Sequence, residues 1–175
     1  MSQSLNLYQI NKSNFEELSK NYQSYNLDFS DHNSSIFEQN YEGLIFLFST
    51  YYNQELPESL EKLFYPQDFI GEEMNISDID FDNIDDFPEA SSTYYLNPET
   101  IKEIDTILNS IENDIILSFY DADNFNANDI YPNAWHNDES EDQAFNKRHL
   151  EEGLQLLKET ISKAKKNQNY ILFFG

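Results

Sequence analysis

Hydrophobic and polar positions along the chain change their period several times, and each change marks a predicted element. Leu5, Leu7 and Ile10 predict a short strand near the N-terminus, and the apolar run 170–174 predicts a buried closing strand. The stretch 41–52 is apolar on nearly every side, which favours a central buried helix, although its periodicity alone also fits a strand. A last helix is predicted from apolar residues spaced four and three apart, namely Leu150, Leu154, Leu157, Ile161 and Ala164.

Local signals indicate where several helices begin. Ser13, followed three residues later by Glu16, matches a capping box, so a helix is predicted with Ser13 as its N-cap. Asn97 and Pro98 are typical of an N-cap and of the first helical residue. The acidic residues 141–142 are expected at the start of the last helix and lysines at its end, as the helix dipole favours.

The remaining stretches are short or lack a clear period. Pro57 is expected to open a short helix, and residues 93–96 to form a brief strand. Residues 21–35 and 120–137 are predicted as loops, the second with single helical turns. The 65–92 segment is acidic, is interrupted by proline and glycine, and is predicted to be irregular.

Length and composition are consistent with one well-packed core. The chain has 175 residues, of which 39% are hydrophobic and 15% aromatic. We therefore predict a single α+β domain over residues 1–175. In it, several helices pack on a small mixed or antiparallel sheet that includes the N- and C-terminal strands, which pair with each other.

The charge is strongly negative and unevenly placed. The net charge is −23, and residues 63–146 hold 21 acidic residues against one basic residue, Lys102. Such a surface repels nucleic acid and anionic membranes, since both need cations from the protein. It would attract a basic protein, although acidity that simply keeps the protein in solution explains the same charge.

Cysteine usage and targeting signals bear on the compartment. The chain has no cysteine, which excludes disulfides and thiolate metal sites and suits a reducing compartment. Residues 1–10 lack the pattern of a secretory signal, and the longest apolar run, 44–48, is too short to span a bilayer. We expect a cytoplasmic protein.

One acidic stretch partly matches a calcium-binding loop. Its carboxylates at positions 1, 3, 5, 9 and 12 of the EF-hand pattern are Asp78, Asp80, Asp82, Asp86 and Glu89. Asn83 replaces the usual glycine, Asp85 stands where an apolar residue is normal, and Pro88 stiffens the exit. We therefore interpret the stretch as a solvated acidic loop, and these six carboxylates as a face for a basic partner rather than a metal site.

Catalytic and cofactor signatures are missing from the sequence. None of the three histidines, His32, His136 and His149, has a metal-ligand spacing. There is no nucleophile elbow, phosphate-binding glycine loop or dinucleotide fingerprint. We predict no catalytic residue, no metal and no cofactor.

The one aromatic cluster in a loop setting contains the single tryptophan. Tyr131, Trp135 and His136, with Asp121 before them, could form a ligand pocket or a recognition surface. The same residues also fit a loop that is anchored by burying Trp135 in the core, which we favour.

Ordered sequence matches resemble the YfbM-like family of bacterial domains of unknown function. The matches are Tyr41, Gly43, Leu44 and Phe46 to Ser49, then Tyr94 to Glu99, then Tyr120, Asp121, Ile130, Tyr131, Pro132 and Trp135, followed by the last helix and closing strand. Ile45 and Tyr41 stand where the family commonly has His and Trp, and Ala122 and Phe125 replace its usual Pro and Met. The resemblance implies a compact α+β fold in a bacterial cytoplasm and supplies no reaction.

Two hypotheses of function follow from the sequence. The first is a non-enzymatic, acidic domain that binds a basic protein, an immunity-type neutraliser of a basic toxin being one form of it. The alternative is a small-molecule-binding protein or hydrolase with a pocket around Tyr131, Trp135 and His136.

Overall fold

A computed structural model describes residues 4–22, 33–38, 40–72, 92–140 and 142–174 of the chain. These residues form seven helices and five strands. The strands are β1 Ser4–Ile10, β2 Ser34–Glu38, β3 Phe69–Ile70, β4 Thr93–Leu96 and β5 Tyr170–Phe174. The helices are α1 Lys12–Lys20, α2 Tyr41–Tyr51, α3 Glu58–Phe64, α4 Pro98–Ser110, α5 Asn113–Leu117, α6 Ala122–Ala127 and α7 Lys147–Asn167.

The strands form one antiparallel sheet in the order β2-β1-β5-β4-β3. Its central pair joins the two ends of the chain, with Asn6 opposite Phe174 and Ile10 opposite Tyr170. The α+β class and the pairing of the terminal strands are thereby confirmed. No helix within the described ranges is long and apolar enough to cross a membrane.

The sheet buries both of its faces because successive side chains of a strand point to opposite sides. Leu7 and Ile171 belong to the main core, which α2 to α7 also line. Tyr8 and Leu172, their neighbours in sequence, lie in a smaller core with Phe15 of α1. The sheet is therefore covered by most of the helices on one face and by α1 on the other.

Three helices begin where the sequence predicts. α2 covers the apolar stretch 41–52, and α3 follows Pro57 directly. α4 starts at Pro98, and the Asn97 side chain accepts hydrogen bonds from the backbone amides of Glu99 and Thr100 at 3.1 and 2.9 Å.

The predicted start of α1 was wrong. Asn11, not Ser13, is the N-cap, because its side chain accepts a hydrogen bond from the Asn14 amide at 2.9 Å. Asn and Ser are similarly good caps, and Asn11 directly follows the end of β1, so the helix begins at the first opportunity.

The predicted start of α7 was also too early. Its N-cap is the buried Asn146, whose side chain accepts from the His149 amide at 3.2 Å and donates to the carbonyls of Asp138 and Gln143. The first turn holds no acidic residue, and Asp142 lies in the preceding loop. Lys165 and Lys166 do lie in the last turn, as predicted.

Two strands occur in segments that were predicted to be irregular. β2 begins at Ser34, inside the predicted loop 21–35, and β3 occupies two residues of the 65–92 segment. Both are edge strands, and their polar or short sequences carry little of the alternation that identifies a strand. Residues 73–91 of the 65–92 segment lie outside the described residues.

A buried ion pair joins α4 to α7. Asp105 is 4% exposed and contacts Lys165 Nζ, whose side chain is 43% exposed. Removing the lysine would leave a buried carboxylate without its cation, which is more damaging than losing a surface pair.

We expect Lys165→Ala to lower the free energy of unfolding by about 2 kcal/mol, since the lysine is itself partly exposed. Lys166→Ala is the matched control, because Lys166 is exposed in the same helical turn and has the same charge. Urea unfolding of both variants measures the difference. Equal stabilities would show that the pair with Asp105 does not hold α4 against α7.

Candidate functional site

A cavity of about 250 Å³ opens between the start of β1, the first turns of α2, the end of α3 and the loop after α6. Three aromatic rings and one carboxylate stand on its wall together with small or aliphatic groups. The lining residues are Ser4, Leu5, Tyr41, Glu42, Ile45, Phe64 and Tyr131. No lysine or arginine is among these described lining residues.

Helix α2 supplies the base of this cavity. Tyr41 and Ile45 are one helical turn apart and therefore share a face. The Tyr41 hydroxyl donates to the Leu63 carbonyl at 3.0 Å, and its ring meets Phe64 edge-on with centroids 5.9 Å apart. These contacts fix the end of α3 against α2 and hold two of the aromatic walls in place.

Glu42 links α2 to the loop that carries Tyr131. Its Oε2 accepts a hydrogen bond from the Tyr131 backbone amide at 3.1 Å. The Tyr131–Pro132 peptide bond is cis. Glu42 therefore holds the Tyr131 backbone against α2, and both residues line the cavity.

Trp135 is buried in the core, only 3% exposed, as the anchoring interpretation predicts. Its Nε1 donates to the Ile130 carbonyl at 2.9 Å. The Asn126 side chain bonds both the amide and the carbonyl of Trp135, each at 2.9 Å. The indole also packs against Phe125, with ring centroids 5.1 Å apart. The tryptophan thus fixes the loop from within and does not line the cavity.

A glycine in α2 makes room for that indole. A Cβ on Gly43 would lie 2.5 Å from Trp135 Cη2, 2.7 Å from Cζ2 and 2.8 Å from a methyl carbon of Leu150. Real Cβ atoms do not approach so closely, so α2 can lie against the indole only because residue 43 has no side chain.

The other two predicted ligand-binding residues lie apart from the cavity lining. The His136 side chain is exposed, and its backbone carbonyl accepts a hydrogen bond from the Tyr120 hydroxyl at 2.7 Å. Asp121 is the N-cap of α6, where its Oδ1 accepts from the Asp123 amide at 3.0 Å. Of Tyr131, Trp135, His136 and Asp121, Tyr131 is the one on the cavity wall.

The predicted acidic face falls on residues that lie outside the described part of the chain. These are Asp78, Asp80, Asp82, Asp85, Asp86 and Glu89, which include the calcium-loop pattern. Within the described ranges, no group of three or more His, Cys, Asp and Glu side chains could hold a metal ion.

A second acidic stretch does lie on described residues, and we name it the 112–142 segment. It contains no lysine or arginine. Its described carboxylates are all exposed, namely Glu112, Asp114, Asp121, Asp123, Asp129, Asp138, Glu139 and Asp142. These carboxylates are therefore accessible to solvent, whereas Trp135, in the same segment, is buried.

The negative charge of this segment affects the pKa of Tyr120. Burial, and to a lesser extent the charges of Asp121 and Glu139, raise the pKa of Tyr120 to about 12, although its hydrogen bond to His136 acts in the opposite direction. Two carboxylates that are well separated in the sequence therefore both act on one phenol.

Sequence reasoning missed Glu42 and Phe64 as site residues. One signal for Glu42 was available, because it is the single charged residue in the apolar stretch 41–52. Tyr41 and Ile45, two of the four positions that depart from the YfbM-like pattern, both line the cavity. Phe64 gave no such signal, since it belongs to an ordinary apolar helix face.

The sheet and its helices define a single α+β domain. The chain belongs to the family described as "Domain of unknown function (DUF1877)", whose model matches residues 1–174. It is similar to a solved structure, "The Crystal Structure of a Protein of Unknown Function YfbM from Escherichia coli", with 12% sequence identity and a TM-score of 0.59. That match covers 99% of each chain. None of the curated proteins matches the chain.

The contact between Gly43 and Trp135 can be tested with a double-mutant cycle. Gly43→Ala is expected to lower the free energy of unfolding by about 1–3 kcal/mol, because the new methyl group overpacks the indole. In a Trp135→Phe background the same substitution should cost less, since Cη2 and Cζ2 are absent and only the close approach to Leu150 remains. Urea unfolding gives the coupling energy, and strictly additive effects would contradict the contact.

Alkaline pH is expected to destabilise the fold through two tyrosines. Burial raises the pKa of Tyr41 above its usual value of 10.0, as it does that of Tyr120. The native state therefore keeps protons that the unfolded chain loses, so the contribution of both tyrosines is complete below about pH 10 and declines above it, and that of Tyr120 is lost as pH rises through about 12. Urea unfolding between these limits should show the decline.

Tyr120→Phe should reduce this decline, because phenylalanine cannot ionise. Tyr22→Phe is the control, since Tyr22 packs against the smaller core on the opposite face of the sheet. A decline as steep in Tyr120→Phe as in the native protein would contradict the role of Tyr120.

Proposed function

We propose that this protein is a non-enzymatic domain that binds a basic protein through its carboxylate-rich surface. The observation that carries the proposal is the charge imbalance, with 33 acidic residues against 10 basic ones. Even if every basic side chain were paired internally, 23 negative charges would remain for a partner. An immunity-type neutraliser of a basic toxin is one form of this function.

The placement of charge supports the proposal further. The 112–142 segment presents its described carboxylates to solvent and has no cation of its own to pair with them. Four of the basic residues form ion pairs elsewhere, in α1, in α3, in α7 and between α4 and α7. Unpaired surface charge of one sign accelerates encounter with a partner of the opposite sign and selects against like-charged proteins.

The test is affinity capture from the native host, followed by binding measurements with charge variants. One variant changes Asp121, Asp123, Asp138 and Glu139 to their amides, and a second does the same for Asp78, Asp80, Asp82, Asp85, Asp86 and Glu89. The matched control neutralises Glu16, Glu17, Glu151 and Glu159, which are exposed elsewhere. Captured proteins should be basic and be released by salt, and at least one acidic variant should bind about tenfold more weakly.

Two results would count against the proposal. The proposal would be contradicted if only acidic proteins were captured, or if no protein were captured at low salt. Equal loss in the control variant would show that net charge, not a particular surface, governs retention. A captured protein that is a toxin would specify the immunity-type form.

A second function, binding of a small molecule, is favoured by the cavity that Tyr131 lines. The sequence hypothesis placed a pocket around Tyr131, Trp135 and His136, and the cavity wall instead combines Tyr131 with Tyr41, Glu42 and Phe64. A recess lined largely by aromatic rings, with a few polar groups such as Glu42 at its wall, is typical of ligand sites in proteins.

A further inference from the structure

We infer that the cavity between α2, α3 and the Tyr131 loop binds a small organic ammonium ion. The inference rests on the second proposed function and specifies its ligand class. Three features of the cavity support this ligand class: the chemistry of its wall, the hydrogen bonding of Glu42 and the volume available.

The aromatic walls suit a cation better than an anion. Tyr41, Phe64 and Tyr131 contribute rings to the cavity, and Tyr41 and Phe64 meet edge-on, so their planes differ in direction by 68°. Rings at different angles can present their electron-rich faces to one charge from several sides. This is the arrangement by which proteins recognise alkylated ammonium groups.

Glu42 supplies the counter-charge at the same wall. One of its oxygens, Oε2, accepts from the Tyr131 amide, and within the described part of the chain no donor bonds to the other oxygen. No basic residue is among the described residues that line the cavity. The carboxylate is thus held in position with one oxygen open to a cationic ligand, and an anionic ligand would meet repulsion from it.

The volume of the cavity is compatible with such a ligand. A volume of about 250 Å³, equal to that of about eight water molecules, accommodates an ion of about seven or eight non-hydrogen atoms. The methyl groups of a quaternary ammonium would contact Leu5 and Ile45, the aliphatic part of the wall. The net charge of −23 also raises the local concentration of cations around the protein.

The experiment that tests this inference compares the affinity of the native protein for choline with its affinity for the uncharged isostere 3,3-dimethylbutan-1-ol. Amide proton–nitrogen NMR spectra at constant ionic strength follow the resonances of Glu42 and Tyr131. We expect choline to bind at least about tenfold more tightly than the alcohol, because only choline gains the cation–π and carboxylate interactions. This comparison needs no substitution and so does not depend on the folding of a variant.

Two variants separate the contributions of charge and ring. Glu42→Gln keeps an oxygen acceptor for the Tyr131 amide and removes the charge, so choline binding should weaken about tenfold while binding of the alcohol is unchanged. Glu55→Gln, an exposed glutamate beyond the end of α2, is the matched control and should bind as the native protein does. Tyr131→Phe should retain binding of choline, whereas Tyr131→Leu should lose most of it.

The failures are distinguishable. Equal affinities for choline and the alcohol, with no effect of Glu42→Gln, would overturn the ammonium class and leave a ligand cavity. If sodium chloride causes the same resonance shifts as choline, the inference is overturned as well, since the shifts would then report only the screening of the protein's overall electrostatic field. If neither compound shifts the two resonances, both the inference and the small-molecule function fail, and the proposal of a basic protein partner is unaffected.

Discussion

The pairing of β1 with β5 in the middle of the sheet is the interaction on which the rest of the structure depends. It joins the two ends of the chain in antiparallel register. In the described sheet, β2 pairs with β1, and β4 pairs with β5 and carries β3 on its other edge. The two halves of the sheet therefore become one surface only when this long-range pair forms. Its loop-closure entropy must be offset by burial, which the cores on both faces of the pair provide.

A buried polar network fixes α7 on that central pair. Gln9 of β1 is 2% exposed, and its side-chain amide donates to the Thr160 carbonyl at 3.3 Å. The Thr160 hydroxyl bonds the Leu156 carbonyl and the Ser35 hydroxyl of β2, each at 2.7 Å. An apolar helix face can slide along a sheet at little cost, whereas hydrogen bonds between buried groups hold one position. The network thus gives α7 a defined place, and Lys165 at the end of the same helix reaches Asp105 in consequence.

The sequence predicted the elements whose signals are local and failed where tertiary contacts decide. The start of α4 follows from Asn97 and Pro98 alone, and the seam of α7 follows from its own apolar spacing. β2 could not be predicted from Ser34 and Ser35, since these residues become strand only by pairing with β1. The cavity was less predictable still, because four separate parts of the chain form its wall. Trp135 illustrates both cases. Its burial could be favoured because it is a tryptophan, whereas the need for a glycine at position 43, against the indole, depends on a tertiary contact that the sequence does not reveal.

The negative charges of the two proposed sites are screened by solvent to different extents, and this difference suits them to different ligands. The exposed carboxylates of the 112–142 segment act through solvent, where salt screens charges beyond about 8 Å at physiological ionic strength. They can select the sign of an approaching partner but not its shape. Glu42 is half-buried at the wall of a cavity that aromatic rings also line, so its attraction for a cation is screened less than that of an exposed carboxylate. Rising salt should therefore weaken recognition by the exposed segment well before it weakens recognition in the cavity.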